Sequence, residues 1–362
     1  MKVLIVFNHP APYKVRMFNE LAKLVDLTVL FERTKAKDRP IEFYKDNKYD
    51  FNHIFLKSGY VGNEGNVSSA VKKYIKEHHQ EYDLIVMNGY SHLAEIKAIN
   101  FMAKHNIPFS LLINGGVKKE KEFFLKRKIK ASLVKKASYY MSPCKEANEY
   151  LEFYGADPAK IYAYPYSNLS KEDIITLPVD KNAIREKYGL PKDRIIFVTP
   201  GMFIKRKNNL QLMKLFFERD DILLLIGEGK EIASYHKFML NNVTDNIILL
   251  PYMEKESLFE VLSSCNVLVS LSKFDIYGHT ILEGFANGLP VVASNKIVSA
   301  LGFIKDGENG YIVPLEDKDY IHDCLTKAVD LDSKNCLKTV KELTFDKSAQ
   351  RLAEIFSEIK NG

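Results

Sequence analysis

One stretch of this chain gathers side chains that can do chemistry: Ser270-Leu-Ser-Lys-Phe-Asp275-Ile-Tyr-Gly278-His-Thr-Ile-Leu-Glu283-Gly-Phe-Ala-Asn-Gly288-Leu-Pro290-Val-Val-Ala-Ser294. It reads as a strand, a glycine-containing turn, a helix that ends at Gly288, and a second strand led in by Pro290. Such a turn leaves the backbone N–H groups of Gly278, His279, Thr280 and Ile281 at a helix N-terminus, where unpaired donors and a partial positive charge favour a phosphate. Asp275 lies before the helix and Glu283 about one turn inside it, so one carboxylate can meet a sugar while the other meets a ribose. Two acids near a helix start also suit the helix dipole with no ligand at all. A second stretch, Phe197-Val-Thr-Pro-Gly201-Met-Phe-Ile-Lys205-Arg206-Lys207-Asn208, sets three cations just beyond a predicted strand. At a strand's carboxyl end they can neutralise a departing diphosphate; three adjacent cations also describe an ordinary solvated loop.

These segments need a scaffold, and the pattern of the chain supplies one. Short β-rich runs alternate with amphipathic helical stretches, as in doubly wound parallel sheets. In the first half the strands are expected at 2–7, 27–31, 83–87, 109–113, 138–141 and 161–164, with helices such as 13–24 and 92–105 between them. The stretch 165–180, with its Pro, Ser and Asn content, reads as a linker. The alternation then restarts, with strands at 195–199, 222–226, 246–250, 266–270 and 290–294 and helices near 208–218, 230–241, 255–263 and 279–288. Helices at 317–331 and 333–343 follow, and a last amphipathic helix at 345–360 carries Leu352, Ile355, Phe356 and Ile359 on its apolar side. In such sheets ligands bind beyond the carboxyl ends of the strands, where both chemical stretches lie.

The bulk numbers agree with two α/β domains and a cleft. A chain of 362 residues that is 46% hydrophobic and 27% charged can bury two cores. No apolar run reaches the 18 or so residues of a membrane span, and the N-terminal strand Lys2–Phe7 does not read as a signal peptide, so a cytoplasmic protein is expected. Cys144, Cys265, Cys324 and Cys336 match no zinc or redox spacing and read as reduced packing residues. The net charge of +6 is unevenly held: Lys118 to Lys136 carries nine Lys or Arg against two Glu, a local +7, so the rest of the chain nets about -1.

The stretch 270–294 resembles the Glu-x7-Glu signature of retaining family 4 glycosyltransferases, with Asp275 where the first Glu is usual, Tyr277 in place of Phe and Gly284 in place of Ala. The Asp keeps the charge and shortens the reach by one methylene. The loop 201–208 is similar to the family's Gly-Arg-x-x-x-x-Lys-Gly loop: Lys207 matches the diphosphate-binding Lys, Met202 stands at the usual Arg, and Arg206 is its substitute. Leu225-Ile-Gly227-Glu228-Gly229, Leu249-Leu-Pro-Tyr252-Met253 and Asp306-Gly-Glu-Asn-Gly310 keep the family's order. The resemblance runs from about Ile195 to Pro314. It implies that Gly201 and Gly227 lie close to the donor and that Tyr252 and Met253 lie beside the nucleobase. In the first half, Asn8-His-Pro-Ala-Pro-Tyr13-Lys14-Val-Arg16 and Ile113-Asn114-Gly115-Gly116 follow predicted strands. By the family's plan Tyr13, Lys14, Arg16, Asn114, Gly115 and Gly116 face the acceptor, although Asn-Gly-Gly alone is also a plain turn. Asn114 stands where related enzymes often have His, so no general base is named; His9 and His92 are candidate cleft residues, although a lone His is more often structural.

Within the basic run, Leu125, Ile129 and Leu133 recur every four residues, an apolar stripe edged by cations. Such a helix suits an anionic membrane surface bearing a lipid-diphosphate acceptor. It also suits a packed helix with a solvated face, and it lacks the signatures of nucleic-acid binders, so no nucleic-acid partner is expected.

The resemblance thus implies the GT-B fold, two Rossmann-like doubly wound domains facing across a cleft. Residues 1–170, completed by 345–362, are expected to bind the acceptor, and 171–344 the nucleotide sugar. The implied reaction transfers a hexosyl or N-acetylhexosaminyl group with retention, from a nucleotide diphosphate sugar to a lipid-linked or glycan acceptor in cell-surface polysaccharide synthesis. Asp275, Glu283, Lys207 and Arg206 are its catalytic residues, with no metal and no bound cofactor expected. The alternatives are a sugar-nucleotide epimerase on the same architecture and a non-catalytic partner subunit of a glycosyltransferase.

Overall fold

A computed structural model of the chain describes residues 1–36, 41–45, 47–56, 69–116, 122–242 and 244–361. They form two compact units, Met1–Asn168 together with the segment from Leu343 onward, and Leu169–Glu342.

The first unit is built on seven strands: β1 (Lys2–Phe7), β2 (Asp26–Phe31), β3 (Asn52–Phe55), β4 (Leu84–Asn88), β5 (Ser110–Leu112), β6 (Tyr139–Ser142) and β7 (Ile161–Ala163). All pair in parallel, in the order β3-β2-β1-β4-β5-β6-β7. Val3 to Phe7 and Leu84 to Asn88 are buried along their whole length, because helices cover both faces of a parallel sheet and leave no side for solvent. Strand order reverses beside β1, so the loops after β2, β1 and β4 surround a topological switch point. β3 was not anticipated: it is an edge strand whose Asn52 and His53 are exposed, and it lacks the apolar run that marks a central strand.

The second unit repeats the plan with β8 (Ile196–Pro200), β9 (Ile222–Ile226), β10 (Ile247–Leu250), β11 (Val267–Ser270), β12 (Val291–Ser294) and β13 (Gly310–Val313), ordered β10-β9-β8-β11-β12-β13. Its switch point lies between β8 and β11. No strand is expected at β13; its first residue, Gly310, closes the stretch Asp306-Gly-Glu-Asn-Gly310 that keeps the family's order. That residue must be glycine, since a Cβ on Gly310 would lie 2.0 Å from the Val291 carbonyl oxygen of the neighbouring strand.

The last helix, Phe345–Asn361, buries Leu352, Ile355 and Phe356 and packs on the helix Pro12–Ala22 of the first unit. Ser167 Oγ donates to the Leu343 carbonyl at 2.6 Å, Ser348 Oγ donates to the Pro165 carbonyl, and Lys360 Nζ lies 3.1 Å from Asp83 Oδ1. The expected linker 165–180 is therefore not loose at its start, where Tyr166, Ser167 and Leu169 are buried. The four cysteines are free thiols, three of them buried.

Candidate functional site

β8 ends at Pro200, and the chain turns through Gly201 at φ +135°, whose N–H donates to the Ile226 carbonyl at 2.9 Å. After Phe203 a single 3₁₀ turn, Lys205–Lys207, presents the three cations, and Asn208, left-handed at φ +61°, opens the helix Asn209–Phe216. This turn is pinned to the loop after β11, because Lys273 N–H donates to the Arg206 carbonyl at 2.9 Å. The result is a compact ion cluster. Asp275 Oδ2 lies 2.8 Å from Arg206 Nη1 and 3.0 Å from Lys207 Nζ, and the Arg206 guanidinium also donates to the Phe274 carbonyl at 2.7 Å. Lys207 and Asp275 are largely buried, with side chains 12% and 16% exposed, whereas Arg206 reaches solvent at 40%.

Burial alone would raise the Asp275 carboxyl. The Lys207 ammonium and the Arg206 guanidinium outweigh it and hold the group below the usual carboxylate range. One anion shared by two cations leaves a net positive site at the sheet's switch point, suited to an anionic ligand. Asp275 is held from behind as well: its N–H donates to the Lys296 carbonyl at 3.0 Å in a short parallel bridge with Ile297.

Three glycines let the loops approach this cluster. The position a Cβ would take on Gly201 is 3.6 Å from Lys207 Cε, so the lysine stem lies over bare backbone. On Gly227 a Cβ would fall 2.1 Å from the Gly201 carbonyl oxygen, and on Gly278, at φ +90°, 2.5 Å from Ile297 Cγ2. Gly278 is the N-cap of the helix His279–Ala286. Of the four amides expected at this terminus, that of Ile281 already donates to the Gly278 carbonyl at 3.1 Å, so the usable donors are fewer than the sequence implied. The His279 ring stands edge-on to Tyr277 at 5.1 Å, and Thr280 beside it is half-buried. Glu283 is half-buried in the second turn of that helix. Tyr252, exposed, and Met253, half-buried, follow β10. The chain's Asp-x-Asp pairs, Asp317/Asp319 and Asp330/Asp332, serve helix starts: Asp317 accepts from Tyr320 N–H and Asp332 from Lys334 N–H.

In the first unit, the loops after β1 and β5 meet through a residue expected to face an acceptor. Lys14 is wholly buried; its Nζ donates to Asn114 Oδ1 at 2.7 Å and lies 4.1 Å from the centre of the Tyr166 ring. Burial lowers its ammonium to about 7. Asn114 in turn donates to Asn88 Oδ1 at 3.1 Å. Lys14 is thus a brace behind the loops, not a surface cation, because its helix turns that face toward the core while Arg16 points outward. Tyr13, Asn114 and Gly115 are half-buried, and Gly116 is packed so closely on Tyr150 that a Cβ would lie 2.7 Å from the ring. His9 Nδ1 is 3.1 Å from the Tyr44 hydroxyl.

Sequence reasoning missed a second grouping in this unit, Glu32, His92 and Glu95, whose ligating atoms lie within 4.8 Å of one another. Glu32 directly follows a strand and Glu95 stands three residues after a helix cap. Those positions were the available signal, but acids there are common.

The basic run forms the helix Phe124–Val134; Lys118, Lys119, Glu120 and Lys121 lie outside the described residues. The expected apolar stripe divides. Leu125 and Ile129 are exposed together with Phe123, at 73%, and Phe124, whereas Leu133 is buried against the core. Lys130 is engaged by Glu122 at 2.6 Å, and Arg127 lies 4.2 Å from the centre of the Phe153 ring.

Two parallel-sheet Rossmann-like units, the second with a cationic switch point, define the GT-B class of fold. Residues 180–344 match the family model of glycosyl transferases group 1, and this region is a glycosyltransferase group 1 domain. The chain is 30% identical over 135 residues to the lipopolysaccharide core biosynthesis glycosyltransferase LpsE of Rhizobium meliloti, covering 37% of this chain and 39% of that protein. It is 24% identical over 217 residues to the UDP-Gal:alpha-D-GlcNAc-diphosphoundecaprenol alpha-1,3-galactosyltransferase of Escherichia coli, covering 55% and 54%. These alignments span well under two thirds of the relatives' length. Among solved structures, Anabaena Alr3699/HepE in complex with UDP shares the fold over 99% of this chain and 100% of that one, with a TM-score of 0.78 at 16% identity.

Proposed function

We propose that the chain is a retaining glycosyltransferase. It would move a hexosyl or N-acetylhexosaminyl group from a nucleotide diphosphate sugar, foremost a UDP-sugar, to a lipid-diphosphate-linked or glycan acceptor in cell-surface polysaccharide synthesis. The observation that carries this reading is the Arg206–Asp275–Lys207 cluster at the β8/β11 switch point, inside a glycosyltransferase group 1 domain. The relatives named above for lipopolysaccharide core and diphosphoundecaprenol-linked synthesis, and the likeness to a UDP complex, support the donor class and the setting.

In this reading Lys207 and Arg206 neutralise the diphosphate as it leaves, a stabilisation that grows as the sugar–phosphate bond breaks and therefore lowers the barrier. The amides at the start of the helix His279–Ala286 share that charge. Asp275 holds both cations in place before the donor arrives. Glu283 takes the ribose, Tyr252 and Met253 flank the base, and the phosphate charge is met without a metal. The exposed Phe123, Phe124, Leu125 and Ile129, bordered by Lys126 and Lys128, dock the first unit on an anionic membrane surface where a lipid-linked acceptor resides. None of the described helices is long and apolar enough to cross a membrane, and the inner face of the plasma membrane is the place this reading assigns.

Thermal unfolding with UDP-glucose, UDP-N-acetylglucosamine, UDP-galactose and GDP-mannose tests it, run beside Lys207→Ala and Glu283→Ala. A ligand bound only by the folded state stabilises it by about 2.7 kcal/mol at a hundredfold excess over Kd. A midpoint rise for one nucleotide class that both variants abolish is the expected result. Absence of any rise overturns the donor assignment, and donor consumed without an acceptor would indicate epimerisation instead.

A further inference from the structure

The first unit places a buried Glu–His–Glu constellation at its own switch point. Glu32 follows β2, and His92 and Glu95 follow β4, the two strands that flank β1. Glu32 is 1% exposed and Glu95 3%. Glu32 Oε2 lies 3.9 Å, and Glu95 Oε1 3.5 Å, from His92 Nδ1. Helix capping explains part of this: Glu95 Oε2 accepts from the N–H groups of Ser91 at 2.5 Å and His92 at 2.9 Å. It explains neither Glu95 Oε1 nor Glu32, whose Oε1 is buried with no hydrogen-bond partner.

Among the described residues no Lys or Arg forms an ion pair with either glutamate. Two carboxylates removed from water beside one imidazole, with the Arg33 charge acting on Glu32 without pairing to it, are a costly arrangement unless a further positive charge joins them. The backbone makes room for their approach. Gly89, at φ +107°, would place a Cβ only 3.3 Å from Glu95 Oε1.

We infer that Glu32, His92 and Glu95 bind a single divalent transition-metal ion. Ligand atoms ~2.0–2.2 Å from a tetrahedral ion lie about 3.3–3.6 Å apart; the two His92 spacings are 3.5 and 3.9 Å and all three ligand atoms lie within 4.8 Å of one another, so side-chain shifts of up to about an ångström bring them onto one ion. One imidazole with two carboxylates suits Zn2+ or Mn2+ better than Mg2+, which prefers an all-oxygen shell. Three protein ligands leave a coordination position on the side where His92 reaches solvent, open to water or to an oxygen of a bound molecule. The ion would tie together the loops on either side of β1, and the inference stands whether or not the donor assignment holds.

The test uses the full chain, stripped with a chelator and then dialysed against Zn2+, Mn2+ or Mg2+ separately. Bound metal is counted by mass spectrometry, and the thermal midpoint is followed. One equivalent of Zn2+ or Mn2+ per chain with a raised midpoint is expected. Glu32→Gln and, independently, the more exposed His92→Ala should each weaken binding at least tenfold. Less than a tenth of an equivalent of every ion overturns the inference, and the carboxylates then share a proton instead. Undiminished binding in both variants also overturns it, by placing the metal elsewhere, for instance on a free thiol.

Discussion

Asp275→Asn separates the two parts that this carboxylate plays. The substitution keeps shape and removes one charge from a three-member cluster, leaving Lys207, only 12% exposed, without its anion. Breaking a fully buried pair costs about 3–5 kcal/mol; solvent reaches Arg206 and the edge of Asp275, so about 2 kcal/mol is the better figure here. For a unit the size of residues 169–342 that is a fall of about 4–8 °C in the unfolding midpoint. The same change raises the site's net charge from +1 to +2. UDP, which competes with Asp275 for the two cations, should then bind about tenfold more tightly, a gain of about 1.4 kcal/mol. Sugar transfer should fall, because the cations are no longer oriented before the donor arrives. The assay is a differential thermal unfolding series with and without UDP, paired with a turnover measurement.

The pH dependence has a definite sign. The folded-state carboxyl is held below its ordinary value, so the stability it contributes is present above about pH 4, the unfolded value, and is lost as pH falls through the lower folded value. The gap in stability between wild type and Asp275→Asn should therefore be flat from pH 8 to pH 5 and close below pH 4. An unchanged midpoint, or UDP affinity that drops together with it, would refute the account of Asp275 as a clamp on the cations.

Three further outcomes can be checked. Lys14→Met should be less harmful to folding near pH 7 than at pH 10. The buried ammonium has its folded value lowered to about 7, so its penalty is full below that pH and is relieved as pH rises toward the unfolded value; equilibrium denaturation of both proteins at each pH measures this. Gly227→Ala, whose new Cβ would overlap the Gly201 carbonyl oxygen, should destabilise the second unit by about 3 kcal/mol or more and abolish a UDP-dependent midpoint rise; a variant of wild-type stability would contradict the packing. Replacing Lys126 and Lys128 by Gln together with Phe123 and Phe124 by Ser should reduce sedimentation with anionic vesicles at least tenfold, since each surface-proximal cation contributes about 1 kcal/mol; unchanged partitioning rejects the membrane proposal.

The buried strands of both sheets were legible because each is a short apolar run between turn residues, and local sequence suffices to mark it. Edge strand β3 and glycine-led β13 were not, since their pairing partners rather than their own composition make them strands. The donor loops show the same division at the level of side chains. That Gly201, Lys207, Asp275 and Gly278 follow strands could be read from spacing alone. That Arg206 and Lys207 share one carboxylate, on Asp275 68 residues beyond Lys207, depends on β8 and β11 lying side by side.

Lys14 makes the limit sharper. A lysine two residues into a helix beside Tyr13 and Arg16 has the local signature of a surface cation, yet the last helix covers the Pro12–Ala22 helix and Tyr166 stands against its ammonium. Those neighbours arrive from the far end of the chain and from the segment after β7. Whether a charge near a strand's carboxyl end is a ligand group or a brace is thus decided by what later chain segments bury. The same holds for Glu32, which local sequence presents as one acid after one strand and the fold presents as a buried carboxylate facing a histidine and a second glutamate.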